Sequence, residues 1–447
     1  MSDTQLRTRL AARSVSGTYL PFLAGGGVLA VVGFGLFAMS LSGEHADRAW
    51  QLFHVNWLFF TGLSGGSLAL SAVHKTVRAK WSGVILRFAE AAGAFLPFSI
   101  LGMILIFTVG YDHIYGPMQA QLHAFSHGKA LWLSWGWMFT RLLVSLLVMT
   151  AIGYKIVWEA MKPDFRDAAP HVTGEKKARY ERWSAGYDEA VSDDRVWRLG
   201  PAYAVAYAIA FTFVAFDGIM ALQPHWFSNL LGGFYFMGSF LGGHTLLALT
   251  SMYGVRHLQV KDLFSPKQRH DLGKLCFGFT VFWAYLMWAQ FLVIWYGNMP
   301  EETGFVFARL WGHWMPIGRA VFLGMFIIPF IGLLGVAPKK FPLTLGIFTG
   351  ISLTALWLER YLLVVPSVTT GAPQFGHPEL GPTLGLLGLF LLAYALFARN
   401  FPMLSPRLAL ITMEQERGHG HGHEFGHEED SKDYALPTEM ERRNRPR

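Results

Sequence analysis

Ten stretches of about twenty or more predominantly apolar residues run through this 447-residue chain, near 17–42, 50–73, 83–109, 131–156, 199–222, 229–253, 274–297, 315–337, 342–365 and 381–399. A helix needs roughly 20 apolar residues to cross the hydrocarbon core of a bilayer. Backbone polar groups inside lipid must be satisfied within the segment, so runs of this length predict helices. Composition points the same way. The chain is 52% hydrophobic and 15% charged, whereas a soluble domain carries about 25% charged residues. The sequence therefore predicts an all-α integral membrane protein of about ten transmembrane helices in the lipid bilayer.

The basic residues give an independent test of that count, because Lys and Arg gather on the cytoplasmic side of membrane proteins. With the N-terminus placed inside, 31 of the 37 Lys and Arg fall on inside segments, and Arg48, Lys129 and Arg309 fall outside. Arg141, Arg319 and Arg360 lie within spans. A missed or invented span would scramble this alternation. Both termini are expected in the cytoplasm, at the bacterial inner membrane. The N-terminal Arg7, Arg9 and Arg13 followed by apolar residues resemble a signal peptide, but the apolar run is about twice the usual length. It reads as an uncleaved first helix.

Residues 157–198 form a long loop of mixed charge that divides the chain. On either side of it the spans look alike. The second carries Gly62, Gly65 and Gly66, and the sixth Gly232, Gly233, Gly238, Gly242 and Gly243; the fourth carries Trp137, Met138 and Arg141, and the eighth Trp314, Met315 and Arg319. The expected organisation is a cytoplasmic N-terminus (1–16), a first four-helix bundle of spans 1–4 (17–156) and the cytoplasmic loop (157–198). A second four-helix bundle of spans 5–8 (199–337), a C-terminal helix pair (338–400) and a disordered cytoplasmic tail (401–447) follow. Chance likeness among apolar helices is the alternative. The tail carries His419, His421 and His423, read as solvated residues rather than a metal site.

The single cysteine, Cys276, excludes a disulfide framework, a four-thiolate iron–sulfur cluster and CxxCH haem attachment within this chain. The net charge of +7 is spread between apolar runs and predicts no nucleic-acid partner. Ionisable groups inside spans are costly and mark function by default. Glu90, Asp217 and Glu359 are the intramembrane carboxylates, with Arg141, Arg319 and Arg360 as candidate charge partners. His54 and His244 are neutral-or-charged switches, and a haem between them would need an opposed pair, which their depths do not supply. Glu90 is equally a proton relay and a bundle-stabilising group. Arg141 and Arg319 are expected to satisfy carboxylates or carbonyls. Glu359 and Arg360, adjacent on a helix, need not pair. His270 and Asp271 precede the seventh span, Asp271 as an expected N-cap or the pair as a proton entry. Glu90, Asp217, Glu359, His54, His244, His270 and Asp271 together make the candidate proton path.

Two stretches go beyond generic hydropathy. The first is Phe216-Asp217-Gly-Ile-Met-Ala-Leu-Gln223-Pro224-His225-Trp226-Phe227-Ser228. The second runs from Arg269-His270-Asp271 through Phe282-Trp283-Ala-Tyr285 to Ile294-Trp295-Tyr296-Gly-Asn298-Met-Pro300-Glu301-Glu302-Thr303. They resemble the ActF family, the second quinone-binding-type membrane subunit of bacterial alternative complex III, within the NrfD/polysulfide-reductase membrane-anchor superfamily. Gly218, Ala221 and Gln223 depart from that pattern, which has Trp, Ser and an acidic residue there. The resemblance implies a non-catalytic or quinone-binding subunit of a quinol-oxidising electron-transport complex, with no haem or iron–sulfur cluster of its own. It also implies partners: a multihaem cytochrome c, an iron–sulfur subunit and a sister NrfD-like membrane subunit. Glu301, Glu302 and Trp226 are expected subunit contacts, and Trp226 suits an interfacial belt. Two competing expectations are a subunit that itself houses the quinol-oxidation site and a secondary transporter.

Overall fold

The structure, a computed structural model, describes residues 2–369 and 371–422, with side chains through 415. No strand occurs among the described residues. The helices, in order, are α1 (Asp3–Ser14), α2 (Leu20–Leu41), α3 (Ala46–Thr76), α4 (Leu86–Ala92) and α5 (Leu96–Thr108), α6 (Tyr111–Gln119), α7 (His127–Trp132), α8 (Trp135–Ala168) and α9 (Gly174–Ser184). There follow α10 (Glu189–Gly218), α11 (Leu231–His257), α12 (Pro266–Gly297), α13 (Pro300–Leu310), α14 (Met315–Phe322), a π-helical turn (Leu323–Ile327), α15 (Ile328–Leu334), α16 (Val336–Lys340), α17 (Pro342–Val368), α18 (His377–Asn400) and α19 (Pro406–Gly422). Among the described residues, eight helical runs are long and apolar enough to cross a membrane, and the chain is a multi-pass membrane protein.

Local sequence sets several of these ends. Proline opens α12, α13 and α17, where its missing N–H has no intrahelical partner to lose. Ser265 and Gln268 form a reciprocal cap ahead of α12. Asp271 therefore lies a turn inside α12 and pairs with Lys274 at 2.7 Å. The expected N-cap at Asp271 is corrected, because the helix begins earlier than the apolar run does.

Two further helices, α3 of 31 residues and α11 of 27, match the spans in length. Their apolar runs are interrupted by small and polar residues, among them Gln51, His54, Asn56 and Ser64 in α3 and Gly238, Ser239, Gly242, Gly243 and His244 in α11. The reason is position: every residue from Ala49 to Ala72 of α3 is buried by protein, so lipid does not dictate its composition. α3 and α11 are packed face to face. A Cβ built on Gly66 would lie 2.0 Å from the Ser239 carbonyl oxygen, and one on Gly243 would meet the Gly66 backbone at 2.7 Å. Small residues admit this backbone approach.

The helices group differently from the expected scheme of spans 1–4, spans 5–8 and a C-terminal pair. α3, α4–α5, α8 and α10 pack together as one group of four, and α11, α12, α14–α15 and α17 as another. The long helices α2 and α18 share the most extensive contact among the described helices and lie along α3. A Cβ on Gly33 of α2 would stand 2.0 Å from the Gly385 amide nitrogen of α18. Complementary small-residue faces, not order along the chain, select that partner. The first group thus begins at the second expected span and the other at the sixth.

The polar ends are also more ordered than composition implies. Within 157–198, α8 continues to Ala168 and α9 and the start of α10 are helical. The chain after 401 is not a free tail at its start. Met403 donates its amide to the Ser14 carbonyl at 3.1 Å, and Arg407 bonds Asp193 at 2.7 Å. Met403, Leu404 and Ala409 are buried, which ties this segment to α1 and α8. The His419, His421 and His423 side chains and the acidic cluster lie outside the described residues. Helix α1 is held by Arg7 to Asp167 and Arg9 to Asp262, each at 2.8 Å. The Arg9 guanidinium holds the Asp262 carboxyl below its ordinary range. Both described chain ends thus share one face, termed here the terminal face.

Candidate functional site

The intramembrane carboxylates Glu90, Asp217 and Glu359 are each buried beside a basic side chain, at three separate places. Nearest the terminal face, Glu90 at the end of α4 is enclosed by Lys75 of α3 and by Arg87, one turn earlier on its own helix. Ser71 donates to Glu90 Oε1 at 2.6 Å. Arg87 reaches on to Asp164 of α8, whose other oxygen accepts from Ser405 at 2.9 Å. Two carboxylates and two cations are thus sealed between α3, α4, α8 and the segment leading into α19. Removing charges from water costs several kcal/mol per ion unless each is paired, and here each is. Glu90 also lines a cavity of about 330 Å³ with Tyr154, Trp158 and Asn400. Lys75, Arg87 and Asp164 are not singled out by the sequence, where Lys75 and Asp164 fall outside the apolar runs and Arg87 falls at the very start of one. The one legible signal was the i, i+3 spacing of Arg87 and Glu90.

At the opposite end of the same bundle, Arg141 of α8 grips Asp217 of α10 with Nε to Oδ2 at 2.6 Å and Nη2 to Oδ1. Its Nη1 donates to the Trp132 carbonyl at 2.8 Å, and the guanidinium lies 3.9 Å from the Trp132 ring centroid. Asp217 is fully buried. Its backbone carbonyl accepts from Tyr115 at 3.0 Å, and His54 Nε2 bonds the next carbonyl, that of Gly218, at 2.7 Å. Arg141 thus satisfies a carboxylate, as its position predicts. Asp217, which could also have capped the amides of the following helix, is turned to the arginine instead.

The third site joins α11, α12 and α17. Trp283 donates to Glu359 Oε1 at 3.0 Å, and Arg360 Nη1 bonds Oε2 at 2.5 Å. Neighbours on a helix point about 100° apart, yet the long arginine side chain folds back to its neighbour. Its guanidinium lies 4.3 Å from the Tyr235 ring centroid. Tyr235 in turn donates to the Leu58 carbonyl of α3 at 2.8 Å. Asp217 and Glu359 are therefore held by separate arginines in separate helix groups, with Leu58 packed between Gly218 on one side and Tyr235 on the other.

The remaining candidates are dispersed. His244 bonds the Phe240 carbonyl of its own helix at 2.9 Å and packs on Phe279. His270 lies beside Asp271 in the first turns of α12, half-buried at the terminal face. Glu301 is exposed and Glu302 half-buried in the first turn of α13. Trp226, by contrast, is 1% exposed and stacked on Phe305 at 3.6 Å between centroids. The interfacial and subunit-contact expectation for Trp226 is corrected, because the turn after α10 folds inward over α13. Arg319 is exposed and has no hydrogen-bond or ion-pair partner among the described residues, so it does not satisfy a carboxylate as expected.

No protein-family model matches the chain, and no curated protein matches it significantly.

Proposed function

We propose that this chain is a membrane subunit of a quinol:electron-acceptor oxidoreductase of the alternative complex III type, resembling ActF. In this reading it carries no redox centre, supports assembly and moves protons across the bacterial cytoplasmic membrane through ten spans with both termini inside. Electrons travel through its partners, the multihaem cytochrome, the iron–sulfur subunit and the sister NrfD-like subunit. The observation that carries the reading is the vertical arrangement of charge in one bundle. The Lys75–Glu90–Arg87–Asp164 cluster lies near the terminal face, with a cavity beside Glu90, and the Arg141–Asp217 pair near the other. Intramembrane ionisable groups of this kind are costly and mark ion pathways. The two motif stretches supply the complex type.

The test is Glu90→Gln in the intact complex. Glutamine keeps the size and hydrogen bonding while removing the titrating proton. Assembly should persist while the proton-to-electron ratio of quinol oxidation falls. An unchanged ratio would make Glu90 structural and remove the proton role. A second expectation concerns electrons: the chain purified alone shows no Soret band and no bound iron, whereas its complex shows both. A stoichiometric haem in the isolated chain would sink the proposed division of labour.

A further inference from the structure

A cavity of about 700 Å³ opens between α12, α13, α14 and α17 on the side of the molecule away from the terminal face. Its inner wall is apolar, formed by Trp283, Met287, Phe305 and Leu362. The rim side chains Trp288, Trp311, Phe322 and Leu323 are exposed, which on a membrane helix bundle means contact with lipid. The π-helical turn at Leu323–Ile327 borders it, and such turns widen a helix locally.

The polar groups in this cavity are mismatched in charge. Arg309 is 4% exposed, and its partners are all neutral: the Phe305 carbonyl at 2.9 Å, the Leu363 carbonyl at 2.7 Å and the Ser367 hydroxyl at 2.5 Å. Its Nε has no partner. No carboxylate pairs with it among the described residues. Arg319 lines the same cavity, exposed and unpaired. Their helices meet beside the cavity, since a Cβ on Gly318 would lie 2.8 Å from the Arg309 carbonyl oxygen, and both residues line it. The cavity's one carboxylate, Glu359, is already taken by Arg360 and Trp283. Gln290 Oε1 is buried there and accepts no hydrogen bond. In the first bundle the arginine of α8 found an aspartate on α10; in the second, the arginine of α14 has none.

We propose that this cavity binds an anionic glycerophospholipid with a free head-group hydroxyl, of the phosphatidylglycerol class. The phosphate sits between Arg309 and Arg319, where two uncompensated guanidinium groups supply charge-assisted donors. The hydroxyl donates to Gln290 Oε1, and an acyl chain lies along the Trp283–Met287–Leu362 wall. Arg319 stands seven residues after Gly312, where the apolar run begins, so about 10 Å of helix separates it from that end. That is within reach of a head group for a side chain that extends toward the interface. A neutral zwitterionic lipid leaves the two cations uncompensated, and a quinone offers no net charge. The inference rests on the membrane-spanning architecture and is independent of the electron-transport reading.

The test uses the protein in its native assembly, delipidated in detergent and titrated with phosphatidylglycerol or phosphatidylcholine. Native mass spectrometry reads retained lipid and thermal unfolding reads stabilisation. Phosphatidylglycerol should be retained at one site and raise Tm, as a ligand specific to the folded state does; phosphatidylcholine should do neither. Arg319→Gln, at an exposed position that the fold does not depend on, should weaken retention by about tenfold or more. Arg319→Lys should keep most of it. Equal retention of phosphatidylcholine, an unaffected Arg319→Gln variant or a quinone in the site would each overturn the assignment.

Discussion

Arg141→Ala should destabilise the folded protein by about 3–5 kcal/mol, the usual cost of removing one partner from a buried ion pair. The pair is bidentate and Asp217 is fully buried. Alanine leaves that carboxylate with no cation and removes the donor that satisfies the Trp132 carbonyl. Asp217→Ala should cost a similar amount by stranding the guanidinium. The double variant should cost clearly less than the sum of the two, because neither charge is then left alone. Thermal and denaturant unfolding in detergent, combined as a double-mutant cycle, reads this directly. Arg198→Ala, at an exposed pair with Asp194, should change stability by under about 1 kcal/mol and serves as the control. If Arg141→Ala behaves like that control, the Arg141–Asp217 pair is not a structural element of the bundle.

Gly66→Ala is expected to have an effect of comparable size for a steric reason. The added methyl would stand 2.0 Å from the backbone oxygen of Ser239, and a helix backbone cannot move aside as a flexible side chain can. Overpacking typically costs about 1–3 kcal/mol and more where the backbone must shift. Here the strain falls on the α3–α11 contact that joins the two helix groups, so the variant should lose Tm and expression yield together. Gly35→Ala in α2 is the matched comparison, because a Cβ there meets nothing within 4 Å. Alanine's better helix propensity, worth about 1 kcal/mol over glycine, should make that change neutral or stabilising. Equal Tm values for the two variants would mean that α3 and α11 are not in close contact in the membrane.

The membrane class and the long helices were legible in the sequence, because hydropathy is a property of each segment against its solvent. The same logic explains the two helices whose signal was weakest. α3 and α11 face protein, so glycine, serine and histidine replace the aliphatic residues that lipid demands. Individual polar residues were legible as candidates for the same energetic reason. Arg141, Asp217, Glu90 and Glu359 stand out because charge in an apolar run is costly.

Which residues meet is a different matter, decided by the tertiary structure alone. Hydropathy does not encode the rotation of one helix against another. The pairing of α2 with α18 depends on Gly33 and Gly385 facing each other across almost the whole chain. Asp164 joins Arg87, and through it the Glu90–Lys75 pair, because α8 continues as a helix past the apolar run and Ser405 folds beneath it. Trp226 has the composition of an interfacial residue, but the turn carrying it folds onto Phe305. Arg319 has the composition of a charge partner, yet the carboxylate nearest its cavity is taken by Arg360. The sequence by itself determined which segments enter the membrane, since that is set by transfer free energy residue by residue. The partners of each buried charge followed from side-chain reach and helix contact, which exist only once the helices have packed.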